Sequence, residues 1–161
     1  MSDNKEKVIT FLQSKYPNSN LEKIEELLYF SVLWNFIESN YPSQFQIEVA
    51  RQAVWSINQS TDNLSSFNWL LSYFHKRYLN PRYNFDILAK SGNTSNQEHL
   101  ISKNILSKDA NTLSWEEQKE FVAYVISRFR NRLFHWEKEL ETGQNENFKV
   151  INTFLHYLLT K

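Results

Sequence analysis

Apolar residues recur at spacings of three and four along most of the chain, which is the pattern of helices that bury one face. The pattern predicts helices over about 4–15, from Ser19 past Ile37, over about 43–59 and 64–79, from Ser114 to about Leu140, and from about Asn145 to Leu159. No repeat and no shift in composition divides these helices into separate units. We therefore predict one all-α domain over residues 1–161.

Three of the predicted helix starts have the spacing of a capping box. In this motif an N-cap hydroxyl and a side chain three residues later bond each other's backbone amides. The pairs are Ser19 with Glu22, Ser43 with Gln46, and Ser114 with Glu117.

The helix after Ser19 carries more apolar residues than one face needs. Tyr29, Phe30 and Phe36 widen its apolar stripe. This width predicts a helix that is buried on more than one side.

The segment from Asn80 to Leu113 has no sustained helical pattern. It contains Asn80-Pro81 and a turn-forming run from Ser91 to Asn96, and only a brief helical pattern lies around Leu100 and Ile105. A connection of this length can act as a lid or a partner-binding arm, but we expect a surface insertion.

The composition supports helices and removes several classes of function. Gly occurs 2 times and Pro 3 times, while aromatic residues make up 16% of the chain, which disfavours both a disordered tail and a turn-rich β-sandwich. Lys and Arg total 18, as do Asp and Glu, so a polyanion would have to be met by a local patch. The absence of cysteine removes disulfides, thiolate nucleophiles and sulfur-based zinc sites.

Membrane, metal and cofactor signals are missing from the sequence. The N-terminus shows no small-residue cleavage site, and the longest apolar runs, such as 121–126, are too short to span a bilayer. His75, His99 and His156 form no paired metal spacing, and there is no glycine-rich phosphate loop. The default expectation is a soluble cytoplasmic protein with no membrane contact, no metal and no cofactor.

The stretch from Ser127 to Lys138 holds the candidate chemistry, with a net charge of +3 before His135 is counted. On a helix that turns about 100° per residue, His135 shares one side with Arg128 and Asn131, and Arg132 lies close by. Arg130 points roughly 140° away from His135 around the same axis. Arg130 and His135 would therefore flank a groove rather than touch.

Phe134 lies away from the main apolar line of this helix, so a second surface is expected to cover it. If two copies of the helix pack across a two-fold axis, the arginines and histidines of both chains converge on one cleft. Glu25, Glu26 and Glu38 could place a carboxylate near such a cleft, but we assign them no role.

The sequence Arg130-Asn131-Arg132-Leu133-Phe134-His135 resembles the R-x4-6-H signature of the HEPN superfamily, in which a polar residue commonly follows the arginine. It is most similar to small HEPN proteins of bacterial abortive-infection and toxin systems, and the close resemblance covers about the last third of the chain. Arg128 also satisfies the looser spacing, but Phe129 follows it, so the pattern favours Arg130.

The resemblance implies an all-α, HEPN-like bundle of about five to six helices that forms a two-fold homodimer through the motif helix. It further implies a metal-independent RNA endonuclease that acts as a toxin or phage-defence effector. His135 would move a proton near neutral pH, Arg130 would stabilise negative charge, and Asn131 would orient the phosphate or the imidazole. Attack by the 2′-OH would leave a 2′,3′-cyclic phosphate, so DNA should not be cut.

Further arginines are expected to contact RNA phosphates: Arg128 and Arg132 beside the motif, and Arg77 in a second basic stretch. That second stretch lies between Asp62 and Asp86, where aromatic residues accompany the cations. Its aromatic residues Trp69, Tyr73 and Phe74 have core spacing, so we expect them to pack inside the protein.

Two other functions stay open. The chain could be a non-catalytic HEPN-like adaptor that binds a partner protein or a nucleotide, or a structural helical domain with a chance motif. The sequence also leaves open whether an antitoxin or a nucleotidyltransferase is a further partner.

Overall fold

A computed structural model describes residues 2–15, 21–89, 92–134 and 144–161. His135, the predicted cap at Ser19 and the predicted helix end near Leu140 lie outside these residues, as do the side chains of Arg132 and Phe134. Within the described ranges the chain forms seven α-helices and no strand, which confirms the all-α prediction.

The helices are α1 (Ser2–Lys15), α2 (Leu21–Asn40), α3 (Gln46–Trp55), α4 (Ser65–Leu79), α5 (Gln97–Leu106), α6 (Trp115–Phe134) and α7 (Gln144–Thr160). Two short 3₁₀ turns, Phe85–Leu88 and Ala110–Thr112, flank α5. The additional helix, relative to the predicted six, is α5.

Helix α6 is the centre of the fold. Residues 121–129 are all buried, so this stretch is enclosed on every side rather than along one stripe. It packs mainly on α3, while α2 packs mainly on α7, and α4 contacts both α6 and α7.

Aromatic rings join these helix pairs into one core. Phe148 of α7 lies 5.5 Å from Phe30 of α2 and 5.7 Å from Phe129 of α6, between ring centroids. Phe129 in turn lies 5.3 Å from Phe74 of α4. Edge-on and tilted ring pairs of this kind add to the free energy gained by burying their apolar area.

The capping predictions had different outcomes. The box at Ser114 is confirmed, because the Ser114 amide donates to the Glu117 carboxylate at 2.9 Å and the Glu117 amide donates to the Ser114 hydroxyl at 3.2 Å. The box at Ser43 is wrong: its hydroxyl accepts from the Phe45 amide at 3.2 Å, and the Gln46 side chain accepts from the Trp34 indole at 3.0 Å. The Ser43 hydroxyl and the Gln46 side chain therefore do not cap this helix, and α3 begins at Gln46.

The prediction that α2 is buried on more than one side is also wrong. Phe30 and Trp34 are buried, but Tyr29, Val32 and Phe36 are 47%, 52% and 59% exposed. These three residues, spaced by three and four, form an exposed apolar stripe on α2.

The connection from Asn80 to Leu113 is not a surface insertion. Phe85, Leu88 and Ile105 are buried, and the Phe85 ring stacks 5.1 Å from His99 and 6.1 Å from Phe121. The segment supplies part of the core through a four-residue 3₁₀ turn and a short helix, which are too brief to show a sustained apolar period.

Candidate functional site

The two candidate arginines of α6 lie on different sides of the helix. Arg128 is 9% exposed, and its Nε donates a 2.5 Å hydrogen bond to the backbone carbonyl of Leu88. Arg130 faces α2, where its Nη2 donates to Glu38 Oε1 at 3.3 Å. Two residues of helix turn the side chain by about 200°, which accounts for the separation.

A cavity of about 520 Å³ opens beside α6. Its α6 wall consists of Tyr124, Ser127, Arg128 and Asn131, which share a face because they are spaced by three and four. Residues 44–48, at the start of α3, form a second wall, and Asn96 and Glu98, at the start of α5, form a third. The cavity therefore lies where two helices begin against the side of a third.

A chain of polar groups, with His99 and Tyr124 buried and Asp86 partly exposed, supports the α6 wall. His99 is 1% exposed, with Nδ1 2.6 Å from the Tyr124 hydroxyl and Nε2 3.0 Å from Asp86 Oδ1. The Tyr124 hydroxyl also lies 3.2 Å from the Leu88 carbonyl, which accepts from Arg128. Asp86 thus connects through His99 and Tyr124 to the same carbonyl that holds Arg128.

The two ends of this polar chain meet acceptors. An ionised Asp86 can only accept, so His99 Nε2 donates to it at 3.0 Å. At the other end the Tyr124 hydroxyl donates to the Leu88 carbonyl. Burial raises the pKa of Tyr124, so the phenol keeps its proton. A hydrogen bond from Lys103, followed by that from His99, lowers the pKa of the Asp86 carboxyl.

The helix start of α3, which lines the cavity, lacks a side-chain cap. Its N-cap is Phe45, which makes no side-chain capping bond and is 59% exposed. Side chains with an oxygen are strongly preferred at this position because they satisfy the first helical amides. The first-turn acid Glu48 also lines the cavity and pairs with Arg51, 2.5 Å from its Nη1.

The second basic stretch is partly buried and partly exposed. Phe74 is buried, Tyr73 is half-buried and bonds Asn147 at 2.9 Å, and Trp69 is 43% exposed. The expected packing therefore holds for Phe74 and Tyr73 and is wrong for Trp69. Arg77 lies over the Tyr83 ring at 3.9 Å and does not line the cavity.

Of the residues proposed from the sequence, Arg128 and Asn131 share the cavity, while Arg130 and Arg77 lie elsewhere. The sequence analysis missed the polar chain of Asp86, His99 and Tyr124. These residues are separated by 13 and 25 positions, so no local spacing marks them. Phe45 was not marked either, because the spacing of Ser43 and Gln46 predicted a helix cap two residues earlier.

In the described part of the chain, no three His, Asp or Glu side chains lie close enough to hold a metal ion. None of the described helices is long and apolar enough to cross a lipid bilayer. Comparison with protein-family models, curated proteins and solved structures finds no match for this chain.

Proposed function

We propose that the protein is a metal-independent RNA endonuclease whose site lies at the C-terminal end of α6. The observation that carries this proposal is that Arg128 and Asn131 line one polar cavity. For His135, which lies outside the described residues, the sequence spacing predicts the same side of a helix as these two residues. A guanidinium, an amide and an imidazole together can supply the proton transfer and the charge stabilisation that cleavage by an internal 2′-OH needs.

Each group has one task in the proposed reaction. His135 accepts the proton of the 2′-OH, and the 2′-oxygen forms a bond to phosphorus while the bond to the 5′-oxygen breaks. The 5′-oxygen takes up a proton from water and leaves, and His135 returns its proton to the hydroxide that remains, so the products are a 2′,3′-cyclic phosphate and a 5′-hydroxyl. The guanidinium stabilises the charge on the phosphorane-like transition state, and Asn131 orients the phosphate.

We assign the guanidinium role to Arg128 first, because it lines the cavity together with Asn131. The family pattern favours Arg130, whose Nη2 is bonded to Glu38 toward α2. The two assignments predict opposite rankings when each arginine is replaced separately. This comparison is therefore part of the test of the site.

The proposed active form is a two-fold homodimer. Residues 121–129 are buried within one chain, so the contact between chains would use the end of α6 from Arg130 onward. Light scattering should give twice the chain mass for the parent, and Phe134→Asp should reduce it to one. A parent that stays monomeric at assay concentration contradicts the shared cleft.

The decisive assay incubates purified protein with single-stranded RNA in excess EDTA. Cleavage with cyclic-phosphate ends is expected for the parent, and His135→Ala should abolish both this cleavage and the growth arrest caused by expression in bacteria. His156→Ala is the matched control, since His156 is exposed on α7. Cleavage by His135→Ala at the parent rate would remove His135 from the mechanism.

A second candidate function is a non-catalytic adaptor, which the exposed apolar stripe of Tyr29, Val32 and Phe36 favours. In that case purified protein leaves RNA intact in EDTA, and Phe36→Ser rather than His135→Ala relieves growth arrest. The variants Phe36→Ser and His135→Ala therefore distinguish the adaptor from the nuclease.

A further inference from the structure

The cavity beside α6 has the size and the mixture of groups of a site for a small organic ligand. Such sites commonly span about 300–1,000 Å³ and combine apolar surface with a few oriented polar groups. At about 520 Å³ this cavity is within that range. Its walls carry the rings of Phe45 and Tyr124, carboxamides, the Arg128 guanidinium and the carboxylates of Glu48 and Glu98.

We infer that this cavity holds one nucleotide of single-stranded RNA, with its base stacked on Phe45 and its phosphate against Arg128. This inference rests on the proposed function, because it places the base next to the phosphodiester that is cut.

The phosphate end of the site is defined by Arg128. Its Nε is fixed by the Leu88 carbonyl at 2.5 Å, so the orientation of the guanidinium plane is set before a ligand arrives. Glu48, which also lines the cavity, lies 2.5 Å from Arg51, a guanidinium that it shares with Glu120. The start of α3, which has no side-chain cap, adds its positive partial charge to the same cavity.

The base end is defined by Phe45. A phenylalanine at an N-cap leaves the first amides of the helix without a side-chain acceptor, and at 59% exposure it gains little from burial. A residue that costs stability in this way is expected where it serves a ligand. Stacking of a base on an exposed ring is worth about 1–3 kcal/mol and tolerates every base.

Carboxamides close to the ring can read the edge of the base. The Asn96 carbonyl oxygen accepts from the backbone amides of Glu98 at 3.0 Å and His99 at 3.4 Å, so its NH₂ group is turned away from the helix end. Gln44 and Asn131 offer further donors and acceptors, and Glu98 offers a carboxylate to an amino group of the base. A base presents its edge in this way only when it is unpaired, which favours single-stranded RNA over a duplex.

The binding test uses a fluorescein-labelled 2′-O-methyl oligoribonucleotide, which cannot be cleaved, and measures fluorescence anisotropy. Phe45→Ala should weaken binding by about 5- to 150-fold, the equivalent of one lost stacking contact. Phe45→Trp should retain binding. The matched control is Phe11→Ala on α1, because Phe11 is also 59% exposed.

A second experiment uses Asn96→Asp to test whether the Asn96 carboxamide contributes to base preference. Aspartate keeps the oxygen that caps α5 but replaces the NH₂ donor by an acceptor, so the fold should be kept and the order of preference among oligo-A, oligo-C and oligo-U should change. Phe45→Ala binding at the parent affinity, or an unchanged order in Asn96→Asp, would overturn the subsite.

Failure of the subsite can be told apart from failure of the nuclease. Phe45-dependent binding with no RNA cleavage in EDTA supports the subsite and overturns the proposed reaction. Cleavage with parent-like binding by Phe45→Ala supports the reaction and overturns the subsite. A parent protein that neither binds nor cleaves RNA overturns both.

Discussion

The two sides of α6 carry the same type of residue in very different surroundings. On the cavity side Arg128 is 9% exposed and is held by a backbone carbonyl. On the α2 side the side chain of Arg130 is 23% exposed and meets a carboxylate, Glu38, that is 30% exposed. Two arginines can therefore satisfy the same sequence motif and still have different surroundings. The packing of the helix, and not the motif, shows which arginine lies at the cavity.

The cavity side has a further support. Asp86, His99 and Tyr124 come from three separate elements and meet end to end. On the α2 side Arg130 forms an ion pair with Glu38 near the surface. We therefore expect substitutions on the cavity side to have large effects and those on the α2 side to have small ones.

The largest effect on stability is expected for Leu88→Ala. This variant tests whether the segment from Asn80 to Leu113 belongs to the core. Leu88 is fully buried, so truncation should lower the free energy of unfolding by about 2–5 kcal/mol in urea titrations. Its neighbour Ile87 is 47% exposed, and Ile87→Ala should cost about 0.5 kcal/mol. Equal losses in both variants would show that the connection does not pack as described.

The next largest effect is expected for Tyr124→Phe, which removes one hydroxyl from the cavity side. The change leaves His99 Nδ1 without its partner at 2.6 Å, and a buried group left unsatisfied costs about 1–3 kcal/mol. Tyr41→Phe is the control, since the hydroxyl of Tyr41 bonds Ser56 in an exposed position. If chemical denaturation finds the two variants equally stable, the buried chain contributes nothing to folding.

The pH dependence of stability should also show the contribution of the cavity side of α6, through Asp86. Lys103 and His99 lower the pKa of Asp86 in the folded protein. The stabilisation that ionised Asp86 provides is therefore fully present above the pKa of an unfolded aspartate, about 4. It is lost as the pH falls through the lower pKa of the folded state. The difference in stability between the parent and Asp86→Asn should therefore shrink as the pH falls below about 4. Thermal unfolding measured from neutral pH downward checks this, with Asp109→Asn as a control that keeps its cap on Asn111. A difference that does not vary with pH would contradict the charge contacts of Asp86.

The smallest effect is expected for Glu38→Gln on the α2 side. Both members of this ion pair are partly exposed, so losing it should cost about 0–1 kcal/mol, and the cost should shrink further in high salt. Urea titrations at low and high salt provide the measurement. A loss as large as that of Tyr124→Phe would remove the contrast between the two sides.

The parts of the fold that follow from sequence are those with long periodic helices and local caps. In α7, whose helix the sequence pattern predicts, Phe148, Ile151 and Leu155 recur at spacings of three and four and are buried, and the capping box at Ser114 forms as its spacing predicts. These features are decided within a few turns of helix. They therefore need no knowledge of the rest of the chain.

The parts that could not be predicted depend on distant partners. Ser43 has capping-box spacing with Gln46, but Trp34 recruits the Gln46 side chain from another helix. Tyr29 and Phe36 have the apolarity of core residues, yet no described helix covers them. The candidate site shows the same limit: Arg128 and Asn131 follow from helical spacing, whereas Phe45, His99 and Tyr124 reach the cavity region only through the tertiary fold.

The most direct test of the account compares the RNA cleavage rates of Arg128→Lys and Arg130→Lys in EDTA, with thermal unfolding to show that both variants fold. Lysine keeps the charge but loses the planar donors, so Arg128→Lys should cleave about 10²–10³-fold more slowly than the parent. Arg130→Lys can still pair with Glu38 and should cleave at close to the parent rate. The reverse ranking would move the reaction to the α2 side of α6 and contradict the assignment of the cavity.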